Sequence, residues 1–205
     1  MLKKMTMKEV RDVVSIHESS WAPHEISVKL GQEYLHSFYT HVVQSPYSFG
    51  YVYTYGNTVL SYAVGFHDYQ MFNDYLKGKI RFRLGIIILK RLLSRKIGWA
   101  DISNLLNDGE KLRKARYPKY HLGALALAKE YRGTPLGREA IMGAIEGVLR
   151  EFEDKGYPGC WGLCDYINTP MRKCLTRLKF IEVDIINFGN RSVVLYERDL
   201  VDKDV

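Results

Sequence analysis

Leu125-Ala126-Leu127-Ala128-Lys129-Glu130-Tyr131-Arg132-Gly133-Thr134-Pro135-Leu136-Gly137-Arg138 runs from an apolar strand through a glycine-bearing loop straight into a helix. The first N–H groups of a helix lack intrahelical partners and its dipole leaves that end partly positive, so a pyrophosphate fits there. Gly133 allows backbone conformations closed to other residues, and Gly137 leaves room for a close approach. Thr134 is placed to cap the helix, and Pro135 suits its first turn. A well-capped crossover helix with no ligand would carry the same marks. Taken alone, the stretch leaves both readings open.

Downstream, the helix keeps an apolar stripe through Leu136, Ala140, Ala144, Val148 and Phe152, and Gly156 stops it. Residues 160–164 then read as a short strand, 169–178 as a helix, and 180–188 and 192–197 as strands about Gly189-Asn190. Upstream, residues 120–128 form a buried-looking strand. Residues 7–20 and 30–43 carry helical spacing, ended by Pro23 and by Ser45-Pro46. Residues 49–55 and 58–66 make a hairpin about Gly56-Asn57. A segment between hairpin and strand is expected to be helical over about 80–97 and 101–112. The order α-α-β-β-(insertion)-β-α-β-α-β-β, without repeat or linker, predicts one α/β or α+β domain over 1–205, with an insertion at about 70–119.

The composition fits a globular chain: 46% hydrophobic and 13% aromatic residues suffice for a sizeable core. The net charge of +7 is local. Residues 77–119 hold thirteen basic against three acidic side chains, a net +10, which leaves −3 for the remainder. Such a segment points to a surface that meets something anionic. Phe82, Trp99 and Tyr117 are too sparse there for a stacking platform, so nucleic acid is not the expected partner. Cys160, Cys164 and Cys174 make neither an even disulfide set nor a zinc pattern. His36 and His41, five apart, do not share a helix face as ligands, and no metal is expected. No apolar run has the length of a signal core or a membrane span. These features predict a cytoplasmic protein, with a seat at the membrane surface left open.

Arg132 to Gly137 resembles the Arg/Gln-x-x-Gly-x-Gly/Ala signature of the GNAT family of acyl-CoA N-acyltransferases. Asn168-Thr169-Pro170-Met171 through Leu178-Lys179-Phe180 resembles the family's second signature, an Asn opening a helix that ends in Gly-Phe. The interval between them and the element order also match, outside about 70–119. The resemblance implies the GNAT fold: a central mixed, mostly antiparallel sheet flanked by helices, here with a basic helical insertion. It implies acetyl-CoA or a related acyl-CoA as co-substrate and direct attack by a primary amine. Leu125, Ala126 and Leu127 would splay from the next strand and offer backbone groups to the pantetheine. Arg132, Gly133, Thr134, Leu136, Gly137 and Arg138 would hold the pyrophosphate, and Asn168 would contact the cofactor arm.

The sequence departs from the family pattern at three places. Pro135 stands where the signature has Gly and removes one N–H donor. Leu175 stands where many members carry a Tyr that protonates the leaving thiolate, and Lys179 replaces the terminal Gly. His121, at the start of the cofactor strand, and Asp165, at the mouth of the next, are the candidate bases, with His67-Asp68 in reserve. Residues 84–96, apolar on one side and cationic on the other, suit an anionic membrane, a lid over a phosphate-bearing acceptor, or a solvated face. Acyltransferases with such inserts resemble those acting on nucleotide- or lipid-linked amino sugars. A GNAT-fold regulator that binds acyl-CoA without transfer, and a basic nucleic-acid binder, are the rival classes. The acceptor, the acyl length and any assembly of copies stay open.

Overall fold

The computed structural model describes residues 1–23, 25–98, 115–188 and 191–201. The elements in chain order are β1 (Leu2–Lys4), α1 (Val10–Ser20), α2 (Ile26–Leu30), α3 (Gln32–Gln44), β2 (Ser48–Tyr55), β3 (Thr58–Phe66) and α4 (Tyr69–Leu93). Then follow β4 (His121–Leu127), a 3-10 turn (Lys129–Tyr131), α5 (Pro135–Asp154), β5 (Gly159–Asp165), α6 (Thr169–Arg177), β6 (Ile181–Phe188) and β7 (Arg191–Asp199). The described strands form one sheet in the order β1-β2-β3-β4-β5-β7-β6. The β4–β5 pair is parallel and every other pair is antiparallel.

Two apolar layers cover the sheet. On one face α1, α3 and α4 bury Val13, Tyr39 and Phe72 against Tyr62 and Phe66. On the other, α5 lays Ala144, Ile145, Val148 and Phe152 over Phe49, Ala63 and Leu122. Glycine makes that packing close: a Cβ on Gly65 would come within 2.7 Å of a Val148 methyl carbon.

The insertion differs from expectation. In place of a helix starting near Ile80, α4 is one 25-residue helix that begins at Tyr69. The Asp68 carboxylate caps it by accepting from the Met71 N–H at 3.0 Å. Phe72, Leu76, Ile80 and Ile87 form its buried line. The helix expected at 101–112 and the Gly189-Asn190 turn lie outside the described residues. Strand β1 and helix α2 are too short to leave a periodic signal.

Candidate active site

Among the described residues β4 and β5 pair at His121–Trp161 and Leu122–Gly162 and nowhere further along. Beyond that point β4 stays with β3 through Leu125, Ala126 and Leu127, while β5 stays with β7 as far as Asp165. The parting has a local cause. Between its pairings with Gly65 and Ala63, β4 spends Gly123 and Ala124 against Val64 alone. An extra residue of this kind bends a strand away from its neighbour. Gly123 is required there, because a Cβ would lie 2.3 Å from the Phe66 ring.

The open side of β4 can be assigned group by group. Ala128 N–H donates to Leu60 C=O at 2.8 Å, so Ala126, two residues back, also turns toward β3. Leu125 and Leu127 therefore aim their N–H and C=O groups into the gap. The Leu127 carbonyl is reached there by the Ser20 hydroxyl at 2.9 Å, from the last residue of α1. Arg132 fixes the same corner, its guanidinium donating to Ser20 C=O at 3.0 Å.

At the far end of the gap stands the α5 N-terminus. The Thr134 hydroxyl accepts from Gly137 N–H at 3.0 Å and donates to Tyr131 C=O at 2.8 Å. Gly133 takes φ +78°, with open space where a Cβ would be. Pro135 has no N–H, and the N–H groups of Gly133 and Leu136 find no acceptor among the described residues. Two free amides, an empty glycine surface and the exposed Arg138 fit a diphosphate. Gly137 serves otherwise than expected: its Cβ would lie 1.9 Å from the Tyr131 carbonyl oxygen, so the close approach is to the chain's own loop.

The other predicted residues separate. Asn168 caps α6 by accepting from Met171 N–H at 3.3 Å and is exposed. Asp165 accepts from Ile167 N–H at 3.1 Å, and Arg191 Nε sits 3.2 Å from it, close enough for an ion pair though its N–H is not aimed at the oxygen. Arg191 also meets Glu25, which ties the α1–α2 turn to the end of β5. His121 lies at the closed end of the gap. Its ring stacks 3.9 Å from Trp161 and 5.6 Å from Phe66, with Tyr69 edge-on at 4.6 Å. Burial pushes its pKa down to about 3, and its Nδ1 has no hydrogen-bond partner among the described residues. Asp165 lies four residues beyond Trp161 along β5, about 13 Å, so His121 and Asp165 do not share one reacting centre. His67 stacks on Phe49 toward α5, and Asp68 is consumed as a cap.

Three features escaped the sequence. The Gly123 bulge had a signal, a lone glycine within a strand pattern. The Ser20 contact had none. Nor did a buried network in which His17 Nδ1 lies 2.6 Å from the Tyr39 hydroxyl and 2.9 Å from that of Tyr62, with Nε2 3.0 Å from the Ser27 hydroxyl. Of the departures, Leu175 is buried in the core. Lys179, which stands where the second signature has Gly, adopts φ +62°, a left-handed conformation that favours Gly. Two shallow surface depressions, one along α4 and one between α2 and the end of α4, both lie away from the gap.

No family model and no curated protein sequence matches this chain. Solved structures do. A GNAT-family acetyltransferase from Bacillus cereus aligns over 97% of this chain and 96% of its own, with TM-score 0.55 and 8% identity. An N-acetyltransferase from Staphylococcus aureus aligns over 98% of both chains, with TM-score 0.60 and 12% identity. The C-terminal condensation domain of Ebony, solved with beta-alanyl-dopamine, aligns over 97% of this chain and 98% of its own, with TM-score 0.60 and 12% identity. The chain has the GNAT fold, in the mixed, mostly antiparallel arrangement that its two signatures imply.

Proposed function

We propose that this chain is an N-acyltransferase that takes an acyl group, acetyl in the simplest case, from acyl-CoA to a primary amine in a ternary complex. The parting of β4 from β5 after Leu122–Gly162 carries the reading. A diphosphate at Gly133, Leu136 and Arg138 leaves one direction for the pantetheine, along the open edge of Leu127 and Leu125. Its amides would extend the sheet in place of β5. The gap closes beside His121, so the thioester end comes to rest there and not at Asp165.

The amine nitrogen then bonds to the acyl carbon, the carbon–sulfur bond breaks, the nitrogen gives up a proton, and the thiolate takes one. Catalysis of this kind rests mainly on positioning. His121 stays neutral, and with its ring proton on Nε2 the bare Nδ1 can accept a hydrogen bond from the incoming amine. Burial makes it an orienting acceptor more than a store for the proton. The reading places the chain where acyl-CoA is available, in the cytoplasm, and the local basic charge favours an acceptor bearing phosphate, such as a nucleotide- or lipid-linked amino sugar.

One observation favours a second reading, an acyl-CoA-binding protein that transfers nothing: Leu175 is buried where the family's acid would stand. Thiol release from acetyl-CoA, measured against a panel of amines and phosphate-bearing amino sugars, separates the two. Release that depends on an amine supports transfer. Tight acetyl-CoA binding with no amine-dependent release across the panel supports the regulator.

A further inference from the structure

Helix α4 has an apolar line on the side away from its buried residues. At 3.6 residues per turn, Phe82, Ile86, Leu89 and Leu93 fall within about 40° of one meridian, over a length of about 16 Å. They are 84%, 39%, 57% and 77% exposed. Gly78 and Gly85 leave a shallow notch beside Phe82. Lys79 and Lys90 flank the line on one side and Arg81 on the other. Arg81 and Lys90 have no anionic partner among the described residues, and Lys79 lies over the Tyr75 ring at 5.8 Å. The helix holds Lys77, Lys79, Arg81, Arg83, Lys90 and Arg91 against Asp74 alone.

We propose that α4 seats the protein on the surface of an anionic bilayer, with Phe82, Ile86, Leu89 and Leu93 below the headgroups and Lys79, Arg81 and Lys90 among them. Three observations select this occupant. The apolar line is continuous, and an exposed stripe of this kind marks an interaction surface. Its cations sit at the edges of the line, where long side chains reach headgroups while their stems stay in the apolar layer. The charge is of one sign, so packing α4 of a second copy face to face would set cation against cation. No described helix is long and apolar enough to cross a membrane, so the contact lies along the surface. The seat stands apart from the β4–β5 gap and does not depend on acyl transfer.

The test is co-sedimentation of the whole chain with vesicles of phosphatidylcholine, with and without phosphatidylglycerol, alongside analytical ultracentrifugation without lipid. Binding is expected to require phosphatidylglycerol and to weaken with added salt. Phe82→Ser and Leu93→Ser should each cost about tenfold in partition. Lys90→Gln should cost about fivefold. All three positions are exposed, so the melting temperature should hold, and it is measured as a control. Equal binding to both vesicle types, or retention of parental binding by the serine variants, would overturn the proposal. So would a lipid-free dimer that Phe82→Ser converts to monomer, since the stripe would then belong to a second copy.

Discussion

His121 faces Trp161 across the β4–β5 pair with ring centroids 3.9 Å apart, one residue before the strands separate. The stack closes one end of the gap, and the free amides of Gly133 and Leu136 mark the other. Between them β4 offers the N–H and C=O groups of Leu125 to whatever lies in the opening. The catalytic candidates are therefore ranked by where the gap ends.

Folding should depend on the two buried histidines. Burial lowers His121 to about 3 and His17 to about 4, from an ordinary 6.5. As pH falls the unfolded chain binds these protons first. Stability is thus complete above 6.5 and is lost as pH drops from there toward the folded values. Each histidine contributes a slope of about 1.4 kcal/mol per pH unit inside that window. Denaturant melts from neutral pH downward should show it, with His121→Phe removing its share. Equal stability at neutral and mildly acid pH would count against both burials.

At the cradle, Gly137→Ala should destabilise the protein by about 1–3 kcal/mol, because the new methyl meets the Tyr131 carbonyl. Gly133→Ala meets no atom and pays for its positive φ alone, about 1 kcal/mol. Thermal melts of the two variants should rank in that order. The reverse order would mean that the loop does not hold the shape described.

Lys179 invites the opposite change. Its φ of +62° sits just past α6, where glycine is favoured. Lys179→Gly should raise stability by about 0.5–1 kcal/mol while leaving acyl-CoA affinity unchanged. A loss of stability would show that the lysine side chain makes a contact outweighing the backbone cost.

Kinetics should separate His121 from Asp165. Removing one neutral hydrogen bond to the amine costs about a tenfold drop in kcat. His121→Phe should show that drop with little change in KM for acyl-CoA. Asp165→Asn, altering a group held by Arg191 and Ile167, should leave kcat nearly intact. If Asp165→Asn abolishes turnover while His121→Phe does not, the thioester lies elsewhere in the gap.

What the sequence made legible was local. Thr134 as cap, Pro135 in the first turn and the stripe from Ala140 to Phe152 are short-range rules that the structure keeps, while Leu136, at the head of that stripe, is only half-buried. The hairpin about Gly56-Asn57 was visible for the same reason. Long-range pairing was not. Asp165 looked like a candidate base because Arg191, its partner, comes 26 residues later on another strand. His121 looked like a strand-end base because nothing nearby in sequence announces Trp161 and Phe66 above and below it. Helix α4 was mislaid for a different reason: its cap, Asp68, reads equally well as the end of a hairpin.

The most direct measurement is amide hydrogen exchange at Leu125, followed by NMR with and without acetyl-CoA. Fast exchange is expected in the free protein, because that N–H faces the gap, and strong protection once acetyl-CoA is bound. Ala126, paired to β3, should be protected in both states. A Leu125 amide already protected without ligand, or one that acetyl-CoA leaves unchanged while binding, would contradict the placement of the cofactor between β4 and β5.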